Sequence, residues 1–132
     1  MLPGADAFAD LLGAAGIAPD DEIVAYDDTH GVFAARLLVT AELYGHAPAK
    51  LHLLDGDYSV WNRTEPTTTE PPEPNQEPVE YPARFREDGP LIDREGIEAA
   101  VEDPETVVVD TREPDEYNAG HIPNAVRLDW QE

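Results

Sequence analysis

A proline-rich segment in the middle of the chain most constrains what this 132-residue sequence can fold into. Residues 64–90 hold seven of the 13 prolines, and threonine and glutamate fill much of the remainder. Proline lacks an amide donor and fixes its φ angle, so this segment can form neither a helix nor an inner strand. It predicts an extended, semi-rigid linker between residues 1–63 and residues 91–132. Aromatic and basic side chains of its second half are expected to anchor it to a folded surface: Tyr81, Phe85, Arg84 and Arg86.

The net charge restricts the partners that the chain can have. Asp and Glu number 29 against 8 Lys and Arg, which gives a formal net charge of −21. Nucleic acid repels such a polyanion, so we expect no nucleic-acid partner. The longest apolar runs are only a few residues, so no membrane partner is predicted either. The first residues do not form a positively charged, apolar leader, and we therefore expect a cytoplasmic protein.

The basic residues are unusual in composition, because lysine occurs once and arginine seven times. An acid-rich, lysine-poor chain resembles the proteins of salt-accumulating, halophilic archaea. Molar salt shortens the Debye length to about 3 Å and removes most of the self-repulsion of such a chain. The alternative is an acidic tail on an ordinary protein, although here the acids are spread along the whole sequence.

The first part, residues 1–63, alternates helical and strand patterns. Apolar residues at helical spacing predict a helix near residues 8–15 and another over residues 32–44. Short apolar runs at residues 23–26 and 51–54 predict buried strands. Alternation of this kind predicts an α/β fold with a parallel sheet flanked by helices.

The last part, residues 91–132, begins a second α/β pattern. Asp93 can cap a helix, and residues 106–109 form a run of β-branched type that predicts a strand. Pro114 suits the first turn of a short helix, and residues 125–128 predict one more strand. Each part alone buries too little, so we hypothesise that all four strands form one sheet from two half-domains. The halves would pair within one chain or by exchange between the two chains of a homodimer.

Two motifs in these parts resemble the rhodanese family. The strand and loop of residues 107–112, followed by the turn Gly120-His121-Ile122-Pro123, resemble the opening signature of a rhodanese domain. The first part resembles the closing half of such a domain, with Tyr26-Asp27 before a loop and helix and Leu54-Asp55-Gly56 before Trp61. A proline-rich connector between two such halves is typical of tandem thiosulfate sulfurtransferases.

The resemblance implies that the chain is the middle of a tandem protein of haloarchaeal type. Residues 1–63 would end the first repeat, residues 64–90 would be the linker, and residues 91–132 would start the second repeat. The catalytic cysteine of the second repeat would then lie beyond Glu132. In the first repeat Asp27 stands at or next to the cysteine position, as in a degenerate repeat.

The chain has no cysteine, and this bears directly on the implied chemistry. Sulfane-sulfur transfer from thiosulfate needs a thiolate that carries the sulfur as a persulfide before a thiophilic acceptor takes it. A carboxylate such as Asp27 can occupy an electropositive spot at a helix N-terminus, but it cannot accept sulfur. Asp27 and Asp28 would also repel thiosulfate. We therefore expect a member of the sulfurtransferase family that is inert as given.

The second motif supplies the remaining candidate residues. The resemblance implies that Arg112 binds the small anionic sulfur donor, and a guanidinium suits an oxyanion. The alternative is that Arg112 pairs with Asp110 or Glu116 and only fixes the loop. Asp110 is expected to be structural, and His121 is expected to order the turn that begins at Gly120.

The four histidines raise the question of a metal site. His30, His46 and His52 fall at a loop, a helix end and a strand, without the i, i+4 spacing of helical ligands, and no thiolate is available. We expect neither a metal nor a cofactor.

Three classes of function therefore remain open. The chain is part of a sulfurtransferase whose nucleophile lies elsewhere, a non-catalytic interaction or regulatory module with this fold, or a structural element that docks a catalytic repeat.

Overall fold

The computed structural model of the chain describes residues 2–71 and 77–129. The chain divides into two compact units, residues 1–90 and residues 91–132. Within the described ranges, every helix is too short or too polar to cross a bilayer.

The first unit alternates helices with two short parallel strands. Val24 of β1 lies opposite His52 of β2, and α2 packs against both strands. These elements match the helix and strand patterns of residues 1–63, with ends that shift by one to three residues, and a short 3₁₀ turn precedes β2. The elements are α1 (Ala5–Ala14), β1 (Ile23–Ala25), α2 (Val32–Leu43), the 3₁₀ turn (Pro48–Lys50), β2 (Leu51–Leu53) and α3 (Asp57–Trp61).

The core of the first unit joins α1, α2 and the proline-rich segment. Phe8 and Leu12 of α1 meet Ala41 and Tyr44 at the end of α2, and the rings of Phe8 and Tyr44 lie 5.2 Å apart. Tyr81 completes this cluster with only 5% of its surface exposed. The proline-rich segment therefore contributes a core residue to the first unit.

Residues 79–86, which we call the strap, are fixed to the ends of α1 and α2 by backbone hydrogen bonds. The Val79 N–H donates to the Gly13 carbonyl at 3.0 Å. The N–H groups of Arg84 and Arg86 donate to the carbonyls of Tyr44 and Leu43, at 3.0 and 2.7 Å. Carbonyls at the end of a helix lack intrahelical donors, and the strap supplies them.

The predicted anchoring by side chains is thereby confirmed for Tyr81, which lies in the core cluster, and for Arg86, whose guanidinium lies 3.5 Å from Glu42 of α2. Arg84 holds the segment through its backbone N–H, and its side chain is exposed. Phe85 contributes less, because half of its surface is exposed, although its ring meets Tyr44 edge-on at 6.1 Å between centroids.

The second unit has the predicted order of helix, strand, helix and strand. The Asp93 side chain accepts the Gly96 N–H at 2.9 Å and caps α4, as predicted. Val109 of β3 lies opposite Val126 of β4 in a parallel pair. Both strands are shorter than the sequence indicated, because only two residues of each make ladder contacts. The elements are α4 (Arg94–Glu102), β3 (Val109–Asp110), α5 (Pro114–Ala119) and β4 (Val126–Arg127).

The hypothesis of one four-stranded sheet within the chain is wrong. Among the described residues, β1 pairs with β2 and β3 pairs with β4, so each two-stranded sheet contains strands of one unit only. The physical reason is that each crossover, β1–α2–β2 and β3–α5–β4, brings the next strand of the same unit alongside as a parallel neighbour. The exchange of halves between two chains stays a prediction.

Candidate functional site

Asp27 lies at the end of β1 and gathers the backbone amides of the following turn. Its Oδ1 accepts the N–H groups of Thr29 and Gly31, both at 2.8 Å. Its Oδ2 accepts the N–H groups of Phe33 and Ala34, at 2.8 and 2.9 Å. One carboxylate therefore accepts hydrogen bonds from four backbone N–H groups, two of which belong to the first turn of α2.

The local backbone explains why these amides converge. His30 and Gly31 both have left-handed φ angles, of 58° and 85°. This double turn reverses the chain after β1 and aims successive N–H groups at one point, as in the anion-binding concavities called nests. Gly31 also stands at the N-cap of α2 without a capping side chain of its own, so Asp27 performs the capping from upstream.

The same contacts fix the charge of Asp27. Hydrogen bonds from the amides, that of Ala34 foremost, lower its pKa from 3.8 to about 2 against a smaller opposing effect of desolvation. Hydrogen bonds to the charged form of a carboxyl group favour ionisation. At neutral pH the cradle therefore holds a negative charge that belongs to the chain itself.

The loop that follows β2 is tied to the Asp27 loop. The Tyr58 N–H donates to the Asp27 carbonyl at 2.8 Å, and His30 Nδ1 lies 3.5 Å from Asp57 Oδ2. Asp57 is buried, and a hydrogen bond from the Ser59 side chain lowers its pKa. A cavity of about 490 Å³ lies between the two loops.

Sequence reasoning missed Asp57. The turn Asp55-Gly56 directly before it could have indicated this residue, because it marks the end of the second strand. The carboxyl ends of the parallel strands β1 and β2 meet at one edge of the sheet, and ligands bind at this edge in α/β folds.

In the second unit, Arg112 joins Asp110 to the turn that begins at Gly120. Arg112 Nη2 donates to Asp110 Oδ2 at 2.6 Å and to the Gly120 carbonyl at 2.8 Å. The Arg112 side chain and then its backbone N–H lower the pKa of Asp110, and Asp110 raises the pKa of Arg112. These residues line an open cavity of about 650 Å³ at the end of β3 and beside the turn that precedes β4.

His121 lies in the same turn and stacks on a tyrosine. Its ring lies 3.8 Å from that of Tyr117 at an angle of 7°. His121 Nδ1 lies 3.0 Å from the Tyr117 carbonyl, which can only accept, so this nitrogen carries the proton. The Tyr117 hydroxyl donates to the Ala125 carbonyl at 2.7 Å and connects α5 to β4. Tyr117 is thus a structural residue of this site, and the sequence patterns did not single it out.

The structure thus gathers Asp110, Arg112, Gly120 and His121 in the second unit and places Asp27 in the first. The contacts of Arg112 are those of the structural alternative, and a role in anion binding stays a prediction. The other histidines are dispersed, since His46 is buried and His52 pairs with Glu22 at 2.5 Å. Among residues 2–71 and 77–129, no three potential ligands converge on a metal position.

Comparison with known proteins adds sequence relatives. Residues 93–132 match the family model of the rhodanese-like domain. The thiosulfate sulfurtransferase of Corynebacterium glutamicum is 31% identical in an alignment of 147 positions. This alignment covers 96% of this chain and 47% of that protein. The thiosulfate sulfurtransferase of Azotobacter vinelandii is 28% identical, with 98% of this chain and 49% of that protein covered. The chain spans about half the length of the curated relatives it matches.

Comparison with solved structures identifies the fold. The crystal structure of SseA from Escherichia coli, described with the rhodanese fold of 3-mercaptopyruvate sulfotransferases, superposes on the whole chain with a TM-score of 0.78. The match covers 52% of the SseA chain at 24% identity, so it bears on the fold alone. The chain is thus a sequence relative of thiosulfate sulfurtransferases that has the α/β rhodanese fold, and its residues 93–132 carry the rhodanese-like domain signature.

Proposed function

We propose that this chain is the non-catalytic connecting part of a tandem thiosulfate sulfurtransferase. It would comprise the end of a degenerate first repeat, the linker with its strap, and the start of a second repeat. Alignments that cover nearly all of this chain but about half of each relative support this assignment. The catalytic cysteine would belong to a part of the protein outside these 132 residues.

The reaction that the assignment implies is a transfer of sulfane sulfur. A cysteine thiolate attacks the outer sulfur of thiosulfate, a new S–S bond forms, and the S–S bond of thiosulfate breaks with release of sulfite. The resulting persulfide then passes its outer sulfur to a thiophilic acceptor. The substrate would be a small anionic sulfur donor, and Arg112 is our candidate for its contact in the complete protein.

One observation carries the proposal, namely that the Asp27 carboxylate fills the amide cradle at the start of α2. Converging N–H groups at a helix N-terminus stabilise an anion, which is what a persulfide-forming thiolate requires. In this chain a carboxylate already occupies the cradle and accepts its four amides. A carboxylate has no sulfur and repels the thiosulfate dianion, so this repeat is inert.

A cyanide–thiosulfate assay on the purified chain tests the proposal that this part of the protein is non-catalytic. We expect no turnover above the blank, because the chain contains no cysteine. Turnover that co-purifies with the chain would overturn the assignment of an inert repeat.

A gain-of-function variant tests whether the amide cradle around Asp27 can stabilise an anionic sulfur. Asp27→Cys places a thiol where four amides converge, and we expect a thiol pKa below about 7.5. Incubation with thiosulfate should add the mass of one sulfur atom and release one sulfite. The matched control is Asp28→Cys, because Asp28 is exposed and adjacent. Equal reactivity of the two cysteines would show that the cradle has no role in anion stabilisation.

A non-catalytic interaction or regulatory module is the second candidate function. It is favoured by large apolar side chains on the surface of the first unit, since Val24 and Tyr26 expose 63% and 61% of their surface. Tyr26 also lines a cavity of about 420 Å³ together with Tyr58 and Trp61. The reading frame beyond codon 132 separates the two candidates. A cysteine in a short loop after a hydrophobic strand supports the sulfurtransferase, and a stop codon supports the module.

A further inference from the structure

Three aromatic side chains of the first unit line one open cavity of about 420 Å³. They are Tyr26, which directly follows β1, and Tyr58 and Trp61 of α3. Val24 and Leu54 add apolar side chains to the lining. Pockets that hold small molecules typically measure about 300–1,000 Å³. The cavity therefore has the size of a small-molecule site, and its lining is mainly aromatic and apolar.

Contacts within the chain hold the three rings in place. The rings of Tyr26 and Tyr58 stack with their centroids 6.3 Å apart and their planes at 21°. Tyr58 and Trp61 are three residues apart, a spacing that brings side chains to one side of a helix. The indole N–H of Trp61 donates to the Pro66 carbonyl at 3.2 Å, which fixes the orientation of this ring. Because the rings are already ordered, a ligand loses little affinity in ordering them.

The cavity has a neutral lining, and acidic residues adjoin it. Every residue that the structure places in the lining is uncharged. The ionisable residues directly next to a lining residue in sequence are all acidic: Asp27, Asp55, Asp57 and Glu65. Two residues away from the lining, Arg63 lines the neighbouring cavity between the loops and His52 pairs with Glu22. The local charge around this cavity is therefore negative.

Two of these acids are held in their ionised form. Hydrogen bonds from backbone amides, that of Ala34 foremost, lower the pKa of Asp27 to about 2. A hydrogen bond from the Ser59 side chain lowers the pKa of Asp57. The net charge of −21 adds to the negative potential. An anion is repelled from this cavity, whereas a cation is attracted to it.

A methylated cation fits both the rings and the charge. The face of an aromatic ring attracts a cation within about 6 Å of its centroid, and tryptophan does so most strongly. A primary ammonium group is strongly hydrated and would lose its water in an apolar lining. A quaternary ammonium group has no N–H to leave unpaired, and its methyl groups can contact Val24 and Leu54.

We propose that Tyr26, Tyr58 and Trp61 form a binding site for a small quaternary ammonium cation. The ring faces hold the charged group, and Val24 and Leu54 contact its methyl groups. The adjacent carboxylates increase the attraction without contacting the ligand. Binding requires no thiol, so the proposal does not depend on the assignment to a tandem sulfurtransferase.

Choline and its uncharged isostere 3,3-dimethylbutan-1-ol test the proposal. Each is titrated into the 132-residue chain at the KCl concentration that gives full secondary structure by circular dichroism. Methyl protons over an aromatic ring shift upfield in proton NMR, so bound choline reports the contact directly. We expect choline to bind at least about fivefold more tightly than the alcohol, because the rings attract its charge. Absence of the upfield shift, or equal affinity of the two compounds, would overturn the proposal.

Variants separate the ring faces from the apolar cavity. Trp61→Leu and Tyr26→Leu each keep an apolar side chain but remove a ring, so the preference for choline should fall towards one. Tyr26 exposes 61% of its surface, so Tyr26→Leu should fold even if Trp61→Leu does not. Phe85→Leu is the matched control, because it removes a half-exposed ring that does not line the cavity, and it should keep the wild-type preference.

Two further outcomes would contradict the proposal. An undiminished preference for choline in Tyr26→Leu and Trp61→Leu would place the bound cation elsewhere on this acidic chain. Tighter binding of the alcohol than of choline would identify the cavity as an apolar contact surface for another polypeptide segment.

Discussion

The carboxylate of Asp27 accepts the backbone N–H of Ala34 at 2.9 Å, across seven residues of the chain. This contact joins the end of β1 to the first turn of α2 and closes the loop that positions the candidate site. The same carboxylate draws Gly31 and its left-handed turn into place. A single acidic side chain thus organises the loop and also occupies its anion site.

Replacement of this carboxylate should change the pH dependence of stability. The folded-state pKa of Asp27 is about 2, below the ordinary value of 3.8, so its contribution is fully present above about pH 5 and is lost as the pH falls towards 2. We expect Asp27→Asn to unfold at lower urea concentration than the wild type at pH 7, and the two midpoints to converge near pH 2. Asp28→Asn should leave the midpoint unchanged. Equal midpoints of Asp27→Asn and wild type at pH 7 would contradict the capping role.

Truncation of Leu43 should destabilise the first unit. Leu43 exposes 1% of its surface at the end of α2, where the strap crosses. A buried leucine replaced by alanine typically loses about 2–5 kcal/mol of the free energy of unfolding. Urea denaturation of Leu43→Ala measures this loss. Leu11→Ala, at a leucine that is 61% exposed, should change the free energy of unfolding far less, by about 0.5 kcal/mol.

A methyl group at Gly13 should dislodge the strap. A Cβ atom there would lie 2.4 Å from the carbonyl oxygen of Val79, which is a backbone atom that cannot rotate away. Steric strain of this kind costs typically about 1–3 kcal/mol. We expect Gly13→Ala to accelerate hydrogen exchange at the Val79 amide and to lower the unfolding midpoint. Gly4→Ala is the matched control, because nothing lies within 4 Å of its Cβ position.

Substitution of Arg112 by lysine should loosen the second unit. One guanidinium binds Asp110 and the Gly120 carbonyl, and a single ammonium group does not reproduce this fork. The reporter is the Leu128 amide, which donates to the Asp110 carbonyl at 3.0 Å and should exchange faster in Arg112→Lys. Arg94→Lys changes an exposed pair with Glu98 and should leave that amide unaffected. Unchanged exchange in Arg112→Lys would favour a role in anion binding over a structural one.

The net charge of −21 predicts that folding depends on salt. Carboxylates on a compact surface repel one another, and molar salt screens them over about 3 Å. We expect circular dichroism to show more secondary structure in molar KCl than in dilute buffer, with potassium glutamate as a control for anion effects. Identical spectra in both buffers would contradict the proposed origin in a salt-rich cell.

Much of the local structure could be predicted from short-range patterns. The helical spacing of apolar residues located α1 and α2, and Asp93 was recognised as a cap, because these signals involve neighbours within about one helical turn. The position of Asp27 between a strand and a helix could also be predicted from the sequence. Asp110 was one of two carboxylates predicted to pair with Arg112, whereas the contact of Arg112 with the Gly120 carbonyl, eight residues along the chain, depends on the path of the loop and was not predicted.

The sequence by itself determined that no thiol is present, that helices alternate with parallel strands, and that an acidic side chain stands at the first strand end. Tertiary structure alone decided that the proline-rich segment packs as a strap and that His46 meets Tyr81, 35 residues away. It also decided that each pair of strands forms its own sheet. Spacing along a chain fixes contacts within a turn or a strand, whereas contacts between distant residues depend on which apolar surfaces can be buried together.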